Sequence, residues 1–153
     1  MLNPNDIETI KKTIKEFFEK TTFNVEVEIL PEKEGTIPIF LKTEEPQILI
    51  GEGGQTLTEI QHLLKAILRR KITEMFYIDL DINDYKKQKK EYLKELAIST
   101  ADEVALSKKQ KELPPMSAYE RRIIHMELAE RGNVVTESFG EGEERRIVIK
   151  PSP

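Results

Sequence analysis

The stretch Ile48-Leu49-Ile50-Gly51-Glu52-Gly53-Gly54-Gln55-Thr56-Leu57 decides how the rest of the chain is interpreted. Three of its four central residues are glycines, so the backbone there can approach a ligand closely. Apolar residues then recur at helical spacing on one stripe: Leu57, Ile60, Leu63, Leu64, Ile67 and Leu68. The free N–H groups and the positive dipole end at the start of such a helix suit a phosphate. Residues 51–56 are therefore the first candidate binding site.

The glycine segment differs from two common phosphate loops. No Gly-Lys-Ser/Thr follows it, which excludes a Walker loop. The segment before it is short and the spacing of its glycines is wrong for a dinucleotide fingerprint. Taken alone, the quartet also fits a plain turn between two helices, so its meaning depends on the elements around it.

The flanking elements alternate between helix and strand. A helix is predicted after Asn3-Pro4, since a cap and a first-turn proline precede apolar residues at helical spacing. Alternation predicts strands at residues 25–29, 37–41 and 76–82. The order helix, strand, strand, Gly-x-x-Gly, helix, strand resembles the type II KH domain (αββααβ), whose loop clamps a sugar-phosphate backbone. The resemblance implies that residues 48–50 form a short helix and not a strand.

The loop carries a negative charge where a phosphate would approach. Its two middle positions are Glu52 and Gly53, and the carboxylate should repel a nucleic-acid backbone. Four basic residues toward the far end of the following helix could supply positive field or form an ordinary solvated face: Lys65, Arg69, Arg70 and Lys71. The backbone geometry of the loop, more than its charge, therefore supports a phosphate-binding site there.

A second module is predicted beyond residue 84. Its first helix has a stripe of apolar residues and a lysine-rich beginning, and should end before Leu113-Pro114-Pro115. Ser117 and Glu120 form a capping box that starts another helix, which runs to about Arg131. Residues 134–139 and 146–149 then form a closing hairpin around a glycine-rich turn.

The helix after Ser117 separates its charges. Arg121 and His125 are four residues apart and share one face, with Arg122 in the same sector of the wheel. The glutamates at 120, 127 and 130 lie in a different sector. Arginine can make a bidentate phosphate contact, and histidine can donate to a phosphate or stack on a base.

Several ordered motifs resemble the R-3-H (Arg-x-x-x-His) domain of single-stranded nucleic-acid binding. They are Leu113-Pro114-Pro115-Met116, residues 119–125, Thr136-x-Ser138-x-Gly140-x-Gly142 and Arg145-Arg146-Ile147-Val148-Ile149. Together with the KH-like half, these motifs make the chain resemble the Jag family, the SpoIIIJ-associated proteins of bacteria. Two further motifs fit that family: Ile50-Gly51-x-x-Gly54-Gln55-Thr56-Leu57-x-x-x-Gln61 and Asp81-x-x-x-Tyr85.

The resemblance implies RNA binding in the cytoplasm and, in some members, a role in cell elongation, envelope growth or sporulation, with a small KH protein as partner. Many members carry a further N-terminal Jag domain, which we do not expect in this chain. The expected nucleic-acid-binding residues are Gly51, Glu52, Gly53, Gly54, Gln55, Thr56, Arg121, Arg122, His125, Arg145 and Arg146.

Composition limits the other functions. The 153 residues include no Cys and only two His, far apart at positions 62 and 125, which argues against thiol chemistry, Cys-ligated zinc and a multi-His metal site. No apolar run approaches the roughly 18 residues that span a bilayer, and the N-terminus lacks a signal-peptide pattern. We therefore expect a cytoplasmic protein with no membrane insertion, no cofactor and no metal.

The net charge of -4 is divided unevenly: residues 1–83 carry -5 and residues 84–153 carry +1. Any nucleic-acid role must then rest on local geometry, with the better-supported face in the C-terminal half. Few aromatic residues look exposed, so backbone contacts should dominate and base selectivity should be weak. A hydrolase using His125 and Glu127 is disfavoured, because residues two apart on a helix point in different directions.

The prediction is an α+β chain with a KH type II domain at 1–83, a linking helix at 84–112 and an R-3-H domain at 113–153. It is expected to bind single-stranded RNA, or single-stranded DNA, without being an enzyme. The alternative is a protein-interaction scaffold, in which a KH unit of weakened RNA affinity pairs with itself or with another KH protein.

Overall fold

The computed structural model describes residues 2–153, which divide between two compact units, residues 2–86 and residues 87–153. The first unit contains α1 (Pro4–Glu19), β1 (Val25–Ile29), β2 (Thr36–Thr43), α2 (Pro46–Ile50), α3 (Gln55–Arg69) and β3 (Tyr77–Ile82). A single tight turn at Glu52–Gly54 separates α2 from α3. The αββααβ order is confirmed, including the short helix before the glycine loop.

Local sequence accounts for these elements. Asn3 accepts from the Asp6 backbone N–H while the Asp6 side chain accepts from that of Asn3, a capping box that starts α1. In the sheet, β2 lies between β1, which is antiparallel to it, and β3, which is parallel. Alternate residues of β2 and β3 face α1 and α3, and their fully buried members are Ile37, Ile39, Leu41, Leu80 and Ile82.

The helix α4 (Tyr85–Ser107) begins in the first unit and continues into the second, which also contains β4 (Lys111–Glu112), α5 (Ala118–Leu128), β5 (Val134–Phe139) and β6 (Arg146–Pro151). The sheet order is β4-β6-β5, and both pairs are antiparallel. The core of this unit includes Leu93, Ala97, Ile124, Ile147 and Ile149. The predicted mixed fold and the closing hairpin are confirmed.

Two boundaries differ from the sequence prediction. The helix expected through residue 112 ends at Ser107, and Lys108 adopts a left-handed conformation with φ of 59°. Residues 111–112 pair with Val148 and Ile149 as an edge strand, and the Leu113 N–H donates to the Ile147 carbonyl at 2.9 Å. Pairing with β6 thus outweighs helical propensity here. Helix α5 ends at Leu128, three residues before Arg131.

Within residues 2–153, none of the helices is both long and apolar enough to cross a membrane.

Candidate nucleic-acid interface

The glycine loop is packed tightly at both ends and open in the middle. The φ angles of Gly51, Gly53 and Gly54 are 74°, 61° and 82°, in the left-handed region that favours glycine. A Cβ on Gly51 would collide with the Thr56 side chain, and one on Gly54 would lie 3.1 Å from a ring carbon of Tyr85. A Cβ on Gly53 would meet nothing within 4 Å. The backbone around Gly53 is therefore open to a ligand.

The other loop residues differ in their exposure. Helix α3 begins without a side-chain cap, so its first N–H groups and positive dipole end face the loop. Glu52 is exposed beside them, and its carboxylate opposes the approach of a phosphate. The exposed Gln55 side chain donates to Glu59 at 3.3 Å, whereas Thr56 is half-buried against Gly51.

In the second unit, Arg121 is held by the segment that precedes its own helix. Its Nη1 donates to the Met116 carbonyl at 2.7 Å, and the side chain is half-buried. The Met116 N–H in turn donates to the Arg145 carbonyl at 3.2 Å. This chain of contacts brings the start of β6 next to the Arg121 guanidinium, which keeps donors available for an anion.

His125 is fixed through both ring nitrogens. Its Nδ1 lies 2.6 Å from the Thr136 hydroxyl oxygen, and its Nε2 lies 3.2 Å from that of Ser138. Burial lowers the pKa of His125 below 6.5, and the neighbouring Arg121 charge lowers it further. In the neutral ring, one nitrogen donates to a hydroxyl and the other accepts from one. The ring is thus oriented between α5 and β5.

The two adjacent arginines before and within β6 are separated by strand geometry. The backbone of Arg145 is extended, and Arg145 is two residues before the buried Ile147, so both side chains lie on the same face of the sheet. This is the face that carries His125. The Nη1 of Arg145 donates to the Gly140 carbonyl at 2.7 Å. Arg146 lies on the opposite face, where its Nη2 pairs with Glu144 at 2.9 Å. A second carboxylate, from Glu112, is 3.8 Å from its Nη1.

The structure therefore brings Arg121, His125 and Arg145 together and leaves Arg146 neutralised on the other face. Arg122 is exposed on α5, and no residue from 2 to 153 forms an ion pair with it. We call Arg121, His125 and Arg145 the α5–β5 face.

Sequence reasoning did not assign the residues that support the two sites. Thr136 and Ser138 appeared in a motif without a role, although their spacing of two places both hydroxyls on one side of a strand. Tyr85 likewise appeared only in a motif, and its contact with Gly54 joins segments 31 residues apart. No local pattern predicts such a contact.

Comparison with known families agrees with both folds. The KH domain model matches residues 6–90, and the R-3-H domain model matches residues 91–151. The two matches define a class of protein in which a KH domain is followed directly by an R-3-H domain.

Three bacterial relatives are similar to this chain, each named RNA-binding protein KhpB. The one from Clostridium symbiosum is 35% identical over 147 residues, covering 93% of this chain and 66% of the relative. Those from Bacillus subtilis and Lactiplantibacillus plantarum are 38% and 36% identical, covering 77% and 70% of this chain and 58% and 33% of the relatives. The chain thus spans less than two thirds of these relatives' length. It belongs to the Jag family, in which a KH domain precedes an R-3-H domain, as its motifs predicted.

Proposed function

We propose that this chain binds single-stranded RNA, and that it does so mainly through the sugar-phosphate backbone. The observation that carries the proposal is the α5–β5 face, in which an arginine anchored at 2.7 Å stands beside a histidine held by both ring nitrogens. The anchored guanidinium can contact a phosphate without further ordering of its side chain. The imidazole, whose two nitrogens are engaged by Thr136 and Ser138, offers its ring face to a base. The names of the relatives support RNA as the ligand.

The glycine loop adds a second contact in this proposal. The open backbone at Gly53 and the uncapped start of α3 offer N–H donors to a phosphate. Glu52 weakens that contact, so we assign most of the affinity to the α5–β5 face.

A salt series with a fluorescent single-stranded RNA octamer tests the proposal. Each phosphate contact contributes about 0.7 to the slope of log affinity against log salt for single strands. Arg121→Ala should therefore lower the affinity and reduce the slope by about 0.7. The same series with single-stranded DNA determines whether the sugar matters.

Lys11→Ala is the matched control, because it removes an equal charge from an exposed position on α1, outside both sites. It should leave the slope nearly unchanged. The proposal fails if the unmodified protein has no salt-dependent affinity for any single-stranded RNA, or if Arg121→Ala and Lys11→Ala behave alike.

A second candidate function is a scaffold in which the KH unit pairs with itself or with a small KH protein. Exposed apolar side chains on α2 and α3 favour it: Ile48 is 51% exposed and Leu63 is 48% exposed. The Glu52 carboxylate in the loop favours it as well, since it opposes RNA.

Light scattering and one loop variant separate the two functions. A scaffold should scatter as a dimer that Leu63→Lys dissociates, while Glu52→Lys should raise RNA affinity strongly if the loop is disabled by its charge. A monomer whose affinity is unaffected by Glu52→Lys would contradict a scaffold that pairs with itself. A cytoplasmic location and a role in cell elongation, envelope growth or sporulation also stay proposals, which fluorescence microscopy of a tagged chain and of a deletion strain would test.

A further inference from the structure

Gln61 on α3 is clamped at one end of its side-chain amide. Its Oε1 accepts the Leu80 backbone N–H from β3 at 3.0 Å. The same oxygen lies 3.4 Å from the Nζ of Lys86, at the start of α4. Both contacts lie within the first unit, and together they connect α3, β3 and the beginning of α4.

Chemistry determines which end of the amide is clamped. A backbone N–H and an ammonium group can only donate, so the atom that they share must be the oxygen. The Nε2 group of Gln61 therefore points away with two hydrogens, and no residue from 2 to 153 accepts from it. Since no buried side-chain nitrogen or oxygen in the described chain lacks a partner, this Nε2 is reachable from solvent.

Lys86 provides a second donor beside the first. Its Nζ contacts the Asp79 Oδ1 at 2.6 Å as well as Gln61, and its side chain remains 37% exposed. Three hydrogens on the ammonium leave one for a ligand after these two contacts. Two donors, Gln61 Nε2 and Lys86 Nζ, thus stand side by side.

This donor pair lies close to the glycine loop. Lys86 follows Tyr85, whose ring contacts Gly54. Gln61 is seven residues beyond Gly54, which is about 10 Å along a helix. That spacing is of the order of one or two nucleotides, so a strand whose phosphate lies on the loop can place a base at Gln61.

We propose that Gln61 and Lys86 select a base with a carbonyl group at the pyrimidine 4 or purine 6 position, as in uracil and guanine, over one with an amino group there, as in cytosine and adenine. The inference rests on the proposed RNA binding and names its base chemistry. A carbonyl oxygen accepts from either donor. An amino group presents N–H bonds to N–H bonds, which leaves a donor unpaired and carries a cost.

Four RNA octamers test the inference on the unmodified protein: oligo(U) against oligo(C), and oligo(I) against oligo(A). Within each pair the ring size and the number of phosphates are equal. The group at position 4 or 6 changes from carbonyl to amino, and the ring nitrogen beside it loses its hydrogen. The carbonyl member of each pair should bind about three- to tenfold more tightly, the value of one net hydrogen bond.

Gln61→Glu is the decisive variant. Its carboxylate can still accept from Leu80 and Lys86, but it has no hydrogen to donate, so the preference in both pairs should disappear or reverse. Ala66→Glu is the control, since it adds the same charge at an exposed position of α3. It should weaken all four octamers alike and keep the preference.

The outcomes separate this inference from the proposed function. Salt-dependent binding with equal affinities within both pairs overturns the inference and leaves RNA binding intact. A preference that persists in a folded Gln61→Glu protein, checked by circular dichroism, also overturns it. If that variant does not fold, the two pairs on the unmodified protein still decide. Absence of binding to all four octamers overturns the proposed function and this inference with it.

Discussion

At Gly51 two constraints exclude any other residue: the backbone is left-handed, and an added Cβ would have no room. Gly51→Ala combines a left-handed φ with a collision against Thr56, so we expect a loss of stability of about 2 kcal/mol or more. Gly53→Ala has the strain without the collision, and should cost about 1 kcal/mol. Urea unfolding of both variants measures the difference; equal losses would mean that Thr56 yields to the methyl group.

His125 should make the free energy of unfolding decrease as the pH falls. Its folded-state pKa lies below 6.5, so the unfolded chain binds more protons as the pH falls through 6.5 toward the folded pKa. Stability should therefore decrease over that window on acidification, and the loss attributable to this group should be absent in His125→Gln. Urea unfolding at several pH values compares the two proteins; identical pH profiles would contradict the assignment.

The same residue should report RNA binding directly. A phosphate beside the ring favours the protonated form, so the pKa of His125 should rise when RNA is added. Ring-proton NMR titration of His62→Gln, which leaves one histidine, follows it without overlap. A pKa that is unchanged at saturating RNA would place the strand elsewhere.

At the scale of elements, the capping box of α5 links stability to the site. Ser117 accepts from the Glu120 N–H at 3.2 Å, and the Glu120 carboxylate accepts from the Ser117 N–H at 3.3 Å. Ser117→Ala should cost about 1 kcal/mol. Because α5 carries Arg121 and His125, RNA affinity should also fall.

Asn3→Ala is the comparison for that variant, since it removes a similar cap from α1, outside the α5–β5 face. It should cost a similar free energy of unfolding and leave RNA affinity nearly unchanged. Equal losses of affinity in the two variants would mean that the α5 cap acts through general stability.

Elements with a strong local signal agree with their sequence patterns, and those without one do not. The periodic stripes of α1 and α3 and the alternation of β1 and β3 identified these elements. The two-residue strand β4 has no such signal, because it exists through pairing with β6. The sequence therefore predicted helix at residues 111–112, where the structure has β4.

For the whole molecule, the described residues form two hydrophobic clusters, one in each unit. Leu64 is fully buried in the first cluster and Ile149 in the second. Each residue replaced by Ala should cost about 2–5 kcal/mol. Hydrogen exchange measured by mass spectrometry should then accelerate mainly in residues 2–86 for Leu64→Ala and mainly in residues 87–153 for Ile149→Ala. Uniform acceleration in either variant would indicate one cooperative unit.

The sequence by itself determined the order of the main elements, the glycine loop, the pairing of Arg121 with His125 on one helix face and membership of the family. These features depend on spacing and on local conformational preference, which act over a few residues. The capping box of Ser117 with Glu120 and the helix start at Asn3-Pro4 belong to this group.

Only the tertiary structure decided which of these residues act together. It separated Arg145 from Arg146, placed Thr136 and Ser138 on His125, and clamped Gln61 between Leu80 and Lys86. The physical reason is that such contacts join segments 11 to 25 residues apart, and strand pairing and core packing determine which segments meet. Side-chain hydrogen bonds then form between whichever donors and acceptors the packing brings within reach.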